Sequence, residues 1–500
     1  MDLLLTLLIL LAALFLYLVY SVNEKYKYWE RRGVPFIKPT LFFGSLLSFM
    51  FDKDNLRKFL RNASQTFPGP YYGFYVLTHP ILVITDLEII KRVMIKDFAA
   101  FPNKLFMWDK QLDPVLGDSL FAVRDDEWRS LRAKLSGIFS SAKLKDMVTR
   151  MQMSGEHLKD HLGLVANQDV EAMDVIAKYS SNIIASSAFG FNIDCFKKDH
   201  RDFKYYNEHI MSKGTIGEVK ILSYLFMHPL AKLFKLSFLD PIGVEYFRNI
   251  FMNILKDKEA KRSNRNDILS LLLNMKDSGD TMGYNRMVSQ SIMFFAAAHE
   301  TTTATITFTL RELGLNSTIQ DRARQEIATV LQRHNGQVDY NSLIAMKYLD
   351  MTIKETLRKY SIVSFLHREA AEDTVIPETG LKIDRGTGII VSTDGVHHNP
   401  QLHPNPSIYD PERFNDENKH SVASQAFVPF GIGPRQCLGE RFSFFSMKTA
   451  LVHILRDFEV VVDSKENKEV EINTAYISRP KGGIHLTFRK LDHCSCDPRY

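Results

Sequence analysis

The chain has 500 residues, of which 45% are apolar and 24% are charged, and its formal net charge is +5 at pH 7. These proportions allow a sizeable globular core, and no long Pro, Ser or Gly tract divides the chain. The small net charge gives no indication of nucleic-acid binding, which needs a concentrated basic stripe and a reader motif. Four cysteines in 500 residues are too few for a disulfide framework, their positions match no Cys/His zinc pattern, and they favour a reducing compartment.

The first predicted element is the apolar run from Leu3 to Tyr20. At about 1.5 Å per residue, a helix of this run matches the hydrocarbon thickness of a bilayer. A cleaved signal peptide would need a positive start and a small-residue cleavage site, whereas Asp2 stands first and SVNEKYKYW follows the run. By the positive-inside rule, basic residues after the run leave the rest of the chain in the cytoplasm. These residues are Lys25, Lys27, Arg31 and Arg32. We therefore predict a transmembrane signal anchor at 1–22, a linker at 23–40 and one large domain at 41–500.

The domain begins with strand-like pieces at 71–77 and 81–84, interspersed with helical ones. From Trp128 to about Arg333 helical periodicity dominates. After Asp373 short β-prone runs are broken by turns, which predicts hairpins. We therefore predict a mainly α fold with a small β part.

The stretch FVPFGIGPRQCLGERF, residues 427–442, places one cysteine in a glycine-punctuated turn. Gly431 and Gly433 allow backbone conformations closed to other residues and leave room for a flat ligand. Cys437 comes just before a predicted helix, whose N-terminus favours a thiolate, the form that binds iron. Arg435 adds a positive charge suited to a carboxylate such as a haem propionate. A lone buried cysteine is more often a small hydrophobic residue, so the surrounding pattern decides.

The pattern F-x-x-G-x-R-x-C-x-G is filled by Phe430, Gly433, Arg435, Cys437 and Gly439. It resembles the haem-thiolate loop of the cytochrome P-450 superfamily. The resemblance implies that Cys437 is the axial ligand of a haem b iron and that the other four positions contact the cofactor. It also implies the cytochrome P-450 fold, with residues 41–500 as its haem domain.

Other motifs of the family follow in the expected order. In KETLRKY, Glu355 and Arg358 share a helix face. The family pattern implies a buried lock that they form with Arg413 of DPERF. In EWRSLRAKL, Trp128 and Arg132 resemble the pair that grips the haem propionates. Arg368 of FLHREAAED resembles a further propionate ligand.

The run MFFAAAHETTTATITF resembles the family's central helix, which crosses the distal face of the haem. Glu300 and Thr301 match its acid–alcohol pair, which implies proton delivery to the bound oxygen. Ala298 departs from the pattern, because glycine is usual there. We interpret His299 as a packing residue, and we expect Phe294, Phe295 and Ala298 to form part of the distal wall.

A second departure is YSIVS, residues 360–364, where membrane-bound members usually carry prolines. This segment belongs to the expected substrate pocket, whose shape the departure alters. The expected pocket segments are 101–120, 203–239, 361–367 and 473–478.

The resemblance implies a monooxygenase that inserts one atom of O2 into a lipophilic small molecule. Xenobiotics, steroids including ecdysteroids, fatty acids and terpenoids all suit the pocket segments. The closest resemblance is to insect microsomal enzymes that metabolise xenobiotics and hormones. Two alternatives stay open: a haem-thiolate isomerase or dehydratase, and a non-enzymatic haem-binding sensor.

Nothing in the chain resembles a flavin or nicotinamide domain, so we expect electrons to come from NADPH through a partner. The resemblance implies the membrane-bound NADPH–cytochrome P-450 reductase, with cytochrome b5 as a further partner. It also implies attachment to the endoplasmic reticulum (microsomal) membrane, with the domain in the cytoplasm. Four basic residues are candidates for a docking face: Lys134, Lys143, Lys145 and Arg441.

Overall fold

The computed structural model describes most of the chain. The described residues are 2–45, 56–105, 109–197, 228–261, 267–277, 283–418, 425–463, 470–473 and 476–492, with isolated positions between 203 and 224. The described part is mainly helical with a small β part, which confirms the predicted fold class.

The helices are distributed along the whole described chain. In order they are α1 (Asp2–Tyr26), α2 (Leu56–Thr66), α3 (Leu87–Lys91), α4 (Pro114–Gly117), α5 (Asp125–Leu135), α6 (Ser141–Leu164), α7 (Ala172–Ile183), α8 (His228–Leu233), α9 (Pro241–Ala260), α10 (Ile268–Asp277), α11 (Tyr284–Leu315), α12 (Ser317–Arg333), α13 (Tyr340–Ala345), α14 (Lys347–Tyr360), α15 (Thr393–His397) and α16 (Glu440–Leu455).

The strands form small sheets at the edges of the helical body. They are β1 (Tyr71–Val76), β2 (His79–Ile84), β3 (Asp169–Glu171), β4 (Phe365–Glu369), β5 (Thr374–Ile376), β6 (Leu381–Ile383), β7 (Gly388–Ser392), β8 (Phe458–Val461), β9 (Ile472–Asn473), β10 (Arg479–Pro480) and β11 (His485–Lys490). One sheet has the order β1-β2-β7-β4, with β2 and β7 parallel, and another has the order β3-β11-β8. The strands β5 and β6 pair as a hairpin, as do β9 and β10.

Helix α11 lies at the centre of the helical core. It contacts α7, α9, α14 and α16, and most of its side chains are buried. A helix that is buried on all sides needs few charged residues, which matches its run of Ala, Thr and Phe. Helix α16 also packs on α6 and α7. The cysteine loop before α16 and the centre of α11 are therefore held by the same core.

Helix α1 carries exposed apolar side chains along its length, with Leu3 at 87% exposure. By length and composition it is able to cross a membrane. The chain after it, predicted as a linker, packs in part on the first sheet. Trp29 is fully buried, and its indole lies against Gly73, where a Cβ atom would come within 2.5 Å of the ring. Arg32 forms a salt bridge with Asp384 at 2.6 Å. Part of the predicted linker is therefore packed against the rest of the described protein.

Candidate active site

A cavity of about 350 Å³ lies between the centre of α11 and the cysteine loop. Its wall is mainly apolar. All four expected pocket segments contribute to it, through residues such as Leu116, Phe238, Ile362 and Tyr476. Parts of the segments 101–120, 203–239 and 473–478 lie outside the described residues. Ile362 and Val363 of the unusual YSIVS segment line the cavity, and Ser361 before them ends α14 in a left-handed conformation with φ 40°.

The cysteine loop is closed by backbone hydrogen bonds. The N–H of Cys437 donates to the carbonyl of Phe430 at 2.9 Å, and the N–H of Gln436 donates to the carbonyl of Gly433 at 2.9 Å. Helix α16 begins at Glu440, so Cys437 stands just before its N-terminus, as predicted. Phe430, Cys437 and Gly439 all line the cavity. The loop thus presents one thiol to an apolar space.

The pKa of the Cys437 thiol departs from the simple helix-terminus expectation. Burial raises this pKa, and the nearby carboxylate of Glu440 acts in the same direction. The backbone N–H of Gly439 and the cations Arg132 and Lys104 oppose the rise without cancelling it. The polypeptide by itself therefore favours the thiol, because desolvation outweighs the helix N-terminus.

The three glycines of the loop have different surroundings. Gly433 has φ +77°, and a Cβ atom on it would lie 2.1 Å from the carbonyl oxygen of Met94. It does not line the cavity, so glycine is needed there for the close approach of the backbone around Met94. Gly431 and Gly439 do line the cavity, and a Cβ atom on either would have no protein contact closer than 3.6 Å. These two positions leave room on the cavity side.

The residues expected to bind propionates also line the cavity: the indole of Trp128 and the guanidinium groups of Arg132, Arg368 and Arg435. The guanidinium of Arg435 lies 4.1 Å from the centre of the Trp128 ring and donates to the carbonyls of Pro102 and Val123. Its Nη1 is buried and has no hydrogen-bond partner among the described residues. Burial and the neighbouring Arg368 lower the pKa of Arg435 to about 9.

Arg368 is similarly placed. It is 5% exposed and donates from Nη1 to the carbonyl of His367 at 2.8 Å. Its Nε is buried without an acceptor in the described part of the chain. Burial lowers the pKa of Arg368 to about 10, and burial also lowers the pKa of Arg132. Buried guanidinium donors without acceptors are costly unless an anion binds to them.

Two further residues of this region line the cavity without having been assigned an individual role from the sequence. Lys104 lines the cavity with its Nζ 3.2 Å from the centre of the Phe121 ring. Burial and the charges of Arg435 and Arg368 hold the pKa of Lys104 well below its usual value. His367 also lines the cavity, and its Nδ1 accepts a hydrogen bond from the N–H of Leu105. Both residues fall inside expected pocket segments, 101–120 and 361–367, but no motif singled out either of them.

The two residues of the acid–alcohol pair, which lie in the centre of α11, point in different directions. Thr301 lines the cavity, and its hydroxyl donates to the carbonyl of Ala297 at 2.8 Å. Ala298 also lines the cavity, so its extra methyl group faces the reaction space. Glu300 does not line it. Its carboxylate forms a salt bridge with Arg479 at 2.6 Å, and the carboxylate is 3% exposed.

The neighbouring aromatic residues divide in the same way. Phe294 lines the cavity, whereas Phe295 does not. The Phe295 ring packs instead against those of Phe203 and Phe247, at 5.4 and 5.2 Å between centroids. The expectation for Phe295 is thus wrong, because successive helix residues point about 100° apart. His299 is buried, and its Nε2 lies 3.1 Å from the carbonyl of Ala177, which fits the packing role.

The residues of the expected lock come together beside the cysteine loop. Arg358 donates two hydrogen bonds of 2.7 Å to Glu355, and both side chains are fully buried. Arg413 donates to the same carboxylate at 3.3 Å, and so does the backbone N–H of Asp410 at 3.0 Å. Arg358 also donates to the carbonyl of His397. The geometry ties α14 to the chain that leads into the loop.

Comparison with known proteins gives consistent matches over the whole chain. The family model described as Cytochrome P450 matches residues 34–488. The chain is 33% identical to Cytochrome P450 6k1 of Blattella germanica, over 97% of this chain and 97% of the relative. It is 32% identical to Probable cytochrome P450 6a13 of Drosophila melanogaster, over 98% and 99% of the two chains. It is 33% identical to Probable cytochrome P450 6w1 of the same species, over 97% and 98%.

Proposed function

The chain belongs to the cytochrome P450 family and is a P450 monooxygenase, and we propose that Cys437 binds the haem iron and that the substrate is a lipophilic small molecule. One observation carries the proposal: a single apolar cavity is lined by a thiol, by three arginines and by the hydroxyl of Thr301. The thiol suits iron, the arginines suit carboxylates, and the hydroxyl suits proton transfer.

The residues of the cavity fit a haem. Arg368 Nε and Arg435 Nη1 are buried donors that find no acceptor among the described residues, and two propionates would give them partners. Gly431 and Gly439 leave space on the cavity side, as a flat macrocycle requires. The thiol of Cys437 opens to the same space, and coordination to a metal cation deprotonates a thiol even where burial disfavours the thiolate.

A haem bound in this cavity would supply the chemistry that activates dioxygen for oxygenation of the substrate. The chain supplies everything around that chemistry. The Cys437 sulfur would hold the haem iron and supply electron density to it. Arg132, Arg368 and Arg435 would neutralise the propionates. Trp128 stacks on the guanidinium of Arg435 and holds it in place.

Thr301 holds a proton donor at the cavity wall. Because its hydroxyl donates to Ala297, its oxygen lone pairs are directed to accept from a water or an incoming acid. Glu300 is the neighbouring acid that resupplies protons. The apolar walls exclude bulk water, and this exclusion keeps protons and electrons directed to the substrate.

Electrons come from NADPH through NADPH–cytochrome P450 reductase, with cytochrome b5 as a second donor. Helix α1 anchors the protein in the endoplasmic reticulum membrane, and its exposed apolar side chains support that role. The mainly apolar cavity supports xenobiotics, steroids, fatty acids or terpenoids as the substrate class.

Turnover with purified reductase tests this proposal. Haem-loaded protein, reductase and NADPH are incubated with a lipophilic panel, and oxygen uptake, hydrogen peroxide and product are measured together. We expect product that depends on both NADPH and reductase, and we expect Thr301→Ala to consume NADPH while releasing more peroxide per product.

Two results would contradict the proposal. Product formation without NADPH or reductase would favour a haem-thiolate isomerase or dehydratase. Haem binding with neither oxygen uptake nor product across the panel would favour a sensor. A control variant at Thr329, an exposed threonine of α12, should leave the ratio of peroxide to product unchanged.

A further inference from the structure

The salt bridge between Glu300 and Arg479 joins the centre of α11 to the C-terminal part of the chain. One carboxylate oxygen, Oε2, lies 2.6 Å from Arg479 Nη2. The other, Oε1, is buried and accepts no hydrogen bond from any residue that the structure describes. A buried carboxylate that is only half satisfied is costly, and it is held in place by one cation.

Arg479 opens the short strand β10, which pairs with β9. The residues just before it are fixed to the end of α14: the N–H of Ser478 donates to the carbonyl of Ile362 at 2.8 Å, and its hydroxyl donates to the carbonyl of Ser361 at 3.0 Å. Tyr476 and Ile477 line the cavity. Within four residues the chain therefore passes from the cavity wall to the carboxylate of Glu300.

We propose that Arg479 is a positioning residue for proton delivery, which holds Glu300 beside Thr301 but outside the cavity. The inference rests on the proposed monooxygenase function. Thr301 faces the cavity and Glu300 faces the hairpin, because neighbouring helix residues point about 100° apart. A proton on the carboxylate reaches Thr301 only after the glutamate side chain turns from the guanidinium, so Arg479 sets the resting point of that movement.

The exposure of the two side chains indicates where the proton enters. The Arg479 side chain is 18% exposed, whereas that of Glu300 is 3% exposed. Solvent therefore approaches the carboxylate from the Arg479 side. The reaction consumes two protons and two electrons with each O2 and yields the hydroxylated substrate and water. Each proton passes from solvent to the Glu300 carboxylate and on towards Thr301, which leaves Glu300 ionised again, while the guanidinium keeps its own protons throughout.

The test compares Arg479→Ala and Arg479→Lys with Lys481→Ala. Lys481 is a matched control, because it lies on the same hairpin and pairs with Glu471 on the surface. For Arg479→Ala we expect hydrogen peroxide per NADPH to rise roughly threefold or more, well below the ~10²-fold loss that removal of a general acid can cause. Arg479→Lys should restore most of the coupling, and Lys481→Ala should match the parent.

A second background separates positioning from a purely structural effect. In Glu300→Gln, adding Arg479→Ala should change neither coupling nor the solvent deuterium isotope effect further, because the group that Arg479 positions is gone. The effects of Glu300→Gln and Arg479→Ala on the free energy of urea unfolding should also be non-additive. This double-mutant cycle detects the ion pair without any measurement of turnover. The carbon monoxide complex confirms that each variant holds its haem, and Arg479→Gln replaces Arg479→Ala if the latter does not.

Three results would overturn the proposal. They are parental coupling in Arg479→Ala, no rescue by Arg479→Lys, and additive effects in the Glu300→Gln background. If the parent protein itself forms no product with reductase and NADPH, the proposed function fails first. Non-additive effects of the two substitutions on the unfolding free energy would then still show that the ion pair forms, and additive effects would show that it does not.

Discussion

Two buried carboxylates on neighbouring helices, those of Glu355 and Glu300, are each held by arginine, but to different degrees. Glu355 receives hydrogen bonds from Arg358, Arg413 and the backbone of Asp410. Glu300 receives one ion pair from Arg479, and one of its oxygens is left without a donor in the described structure. A carboxylate whose two oxygens both accept hydrogen bonds, as in Glu355, stabilises the fold and has no oxygen free to accept a further donor. A carboxylate with one oxygen that accepts no hydrogen bond, as in Glu300, can exchange hydrogen-bond partners, and proton transfer requires such an exchange.

The same contrast holds around the cysteine loop. Gly433 lies so close to the Met94 backbone that a Cβ atom would not fit, and it supports the loop from outside the cavity. Arg368 and Arg435 face the cavity with buried donors that have no acceptor among the described residues. Residues with complete contacts are therefore expected to affect stability, and residues with incomplete contacts are expected to affect cofactor binding and turnover.

The largest expected effect comes from the lock. Glu355→Gln removes the charge that Arg358 and Arg413 share, which leaves buried cations and should cost about 3–5 kcal/mol of unfolding free energy. Urea unfolding of the haem-loaded protein measures it. Glu372→Gln, at an exposed position, is the matched control and should be neutral. Equal stability of the two variants would contradict the view that the fully hydrogen-bonded carboxylate of Glu355 stabilises the fold.

A smaller loss of stability is expected at the outer support of the loop. Gly433→Ala adds a methyl group at φ +77° that would lie 2.1 Å from the Met94 oxygen. The strained backbone and the collision should cost about 2–4 kcal/mol. Gly137→Ala, where a Cβ atom meets nothing within 4 Å, should be tolerated. The thermal midpoints of the two variants give the comparison, and a stable Gly433→Ala would contradict the packing role.

Arg368→Met should separate cofactor binding from stability. Losing a charged donor to a propionate should weaken haem binding by about 1.5–3 kcal/mol. Unfolding of the haem-free protein should change by less than about 1 kcal/mol, because an unpaired buried charge is removed as well. Haem transfer to an acceptor protein measures the first quantity. Arg129→Met, an exposed pair with Asp126, is the control, and a large stability loss with unchanged haem transfer would reverse the assignment.

The smallest expected effect is a pH dependence beside the lock. His403 is fully buried, and burial, with Arg358 and Arg413 nearby, lowers its pKa from 6.5 to about 3. Below pH 6.5 the unfolded chain therefore takes up a proton that the folded chain does not, so stability falls as pH falls. His403→Phe should remove about 2 kcal/mol of the loss between pH 7 and pH 5. Denaturant midpoints at the two pH values check this, and an unchanged slope would contradict the role of His403.

Sequence patterns predict those parts of the site in which the residues that contact each other are close in sequence or belong to a spaced motif. The cysteine loop, the pair Glu355 and Arg358, and the cationic residues around Trp128 all meet as the motifs imply. Patterns failed where the deciding contact is long-range. The partner of Glu300 lies on a C-terminal hairpin, and the reason for Gly433 is the distant Met94 backbone. No periodicity records such contacts.

Helix geometry explains a further difference. The motif predicts that Glu300 and Thr301 act together and that Phe294 and Phe295 both form the distal wall, although adjacent helix positions diverge by about 100°. In both pairs only one member reaches the cavity. The thiol also departs from the helix-terminus expectation, because a sequence indicates the helix terminus but not the burial that raises the pKa of Cys437.

The most direct test of the haem-thiolate site is the spectrum of the reduced carbon monoxide complex. Parent protein, Cys437→Ser and Cys195→Ser are loaded with haem in parallel, since Cys195 is a buried cysteine that does not line the cavity. We expect the thiolate-specific Soret band in the parent and in Cys195→Ser and its loss in Cys437→Ser. An unchanged band in Cys437→Ser would show that the iron is held by another residue.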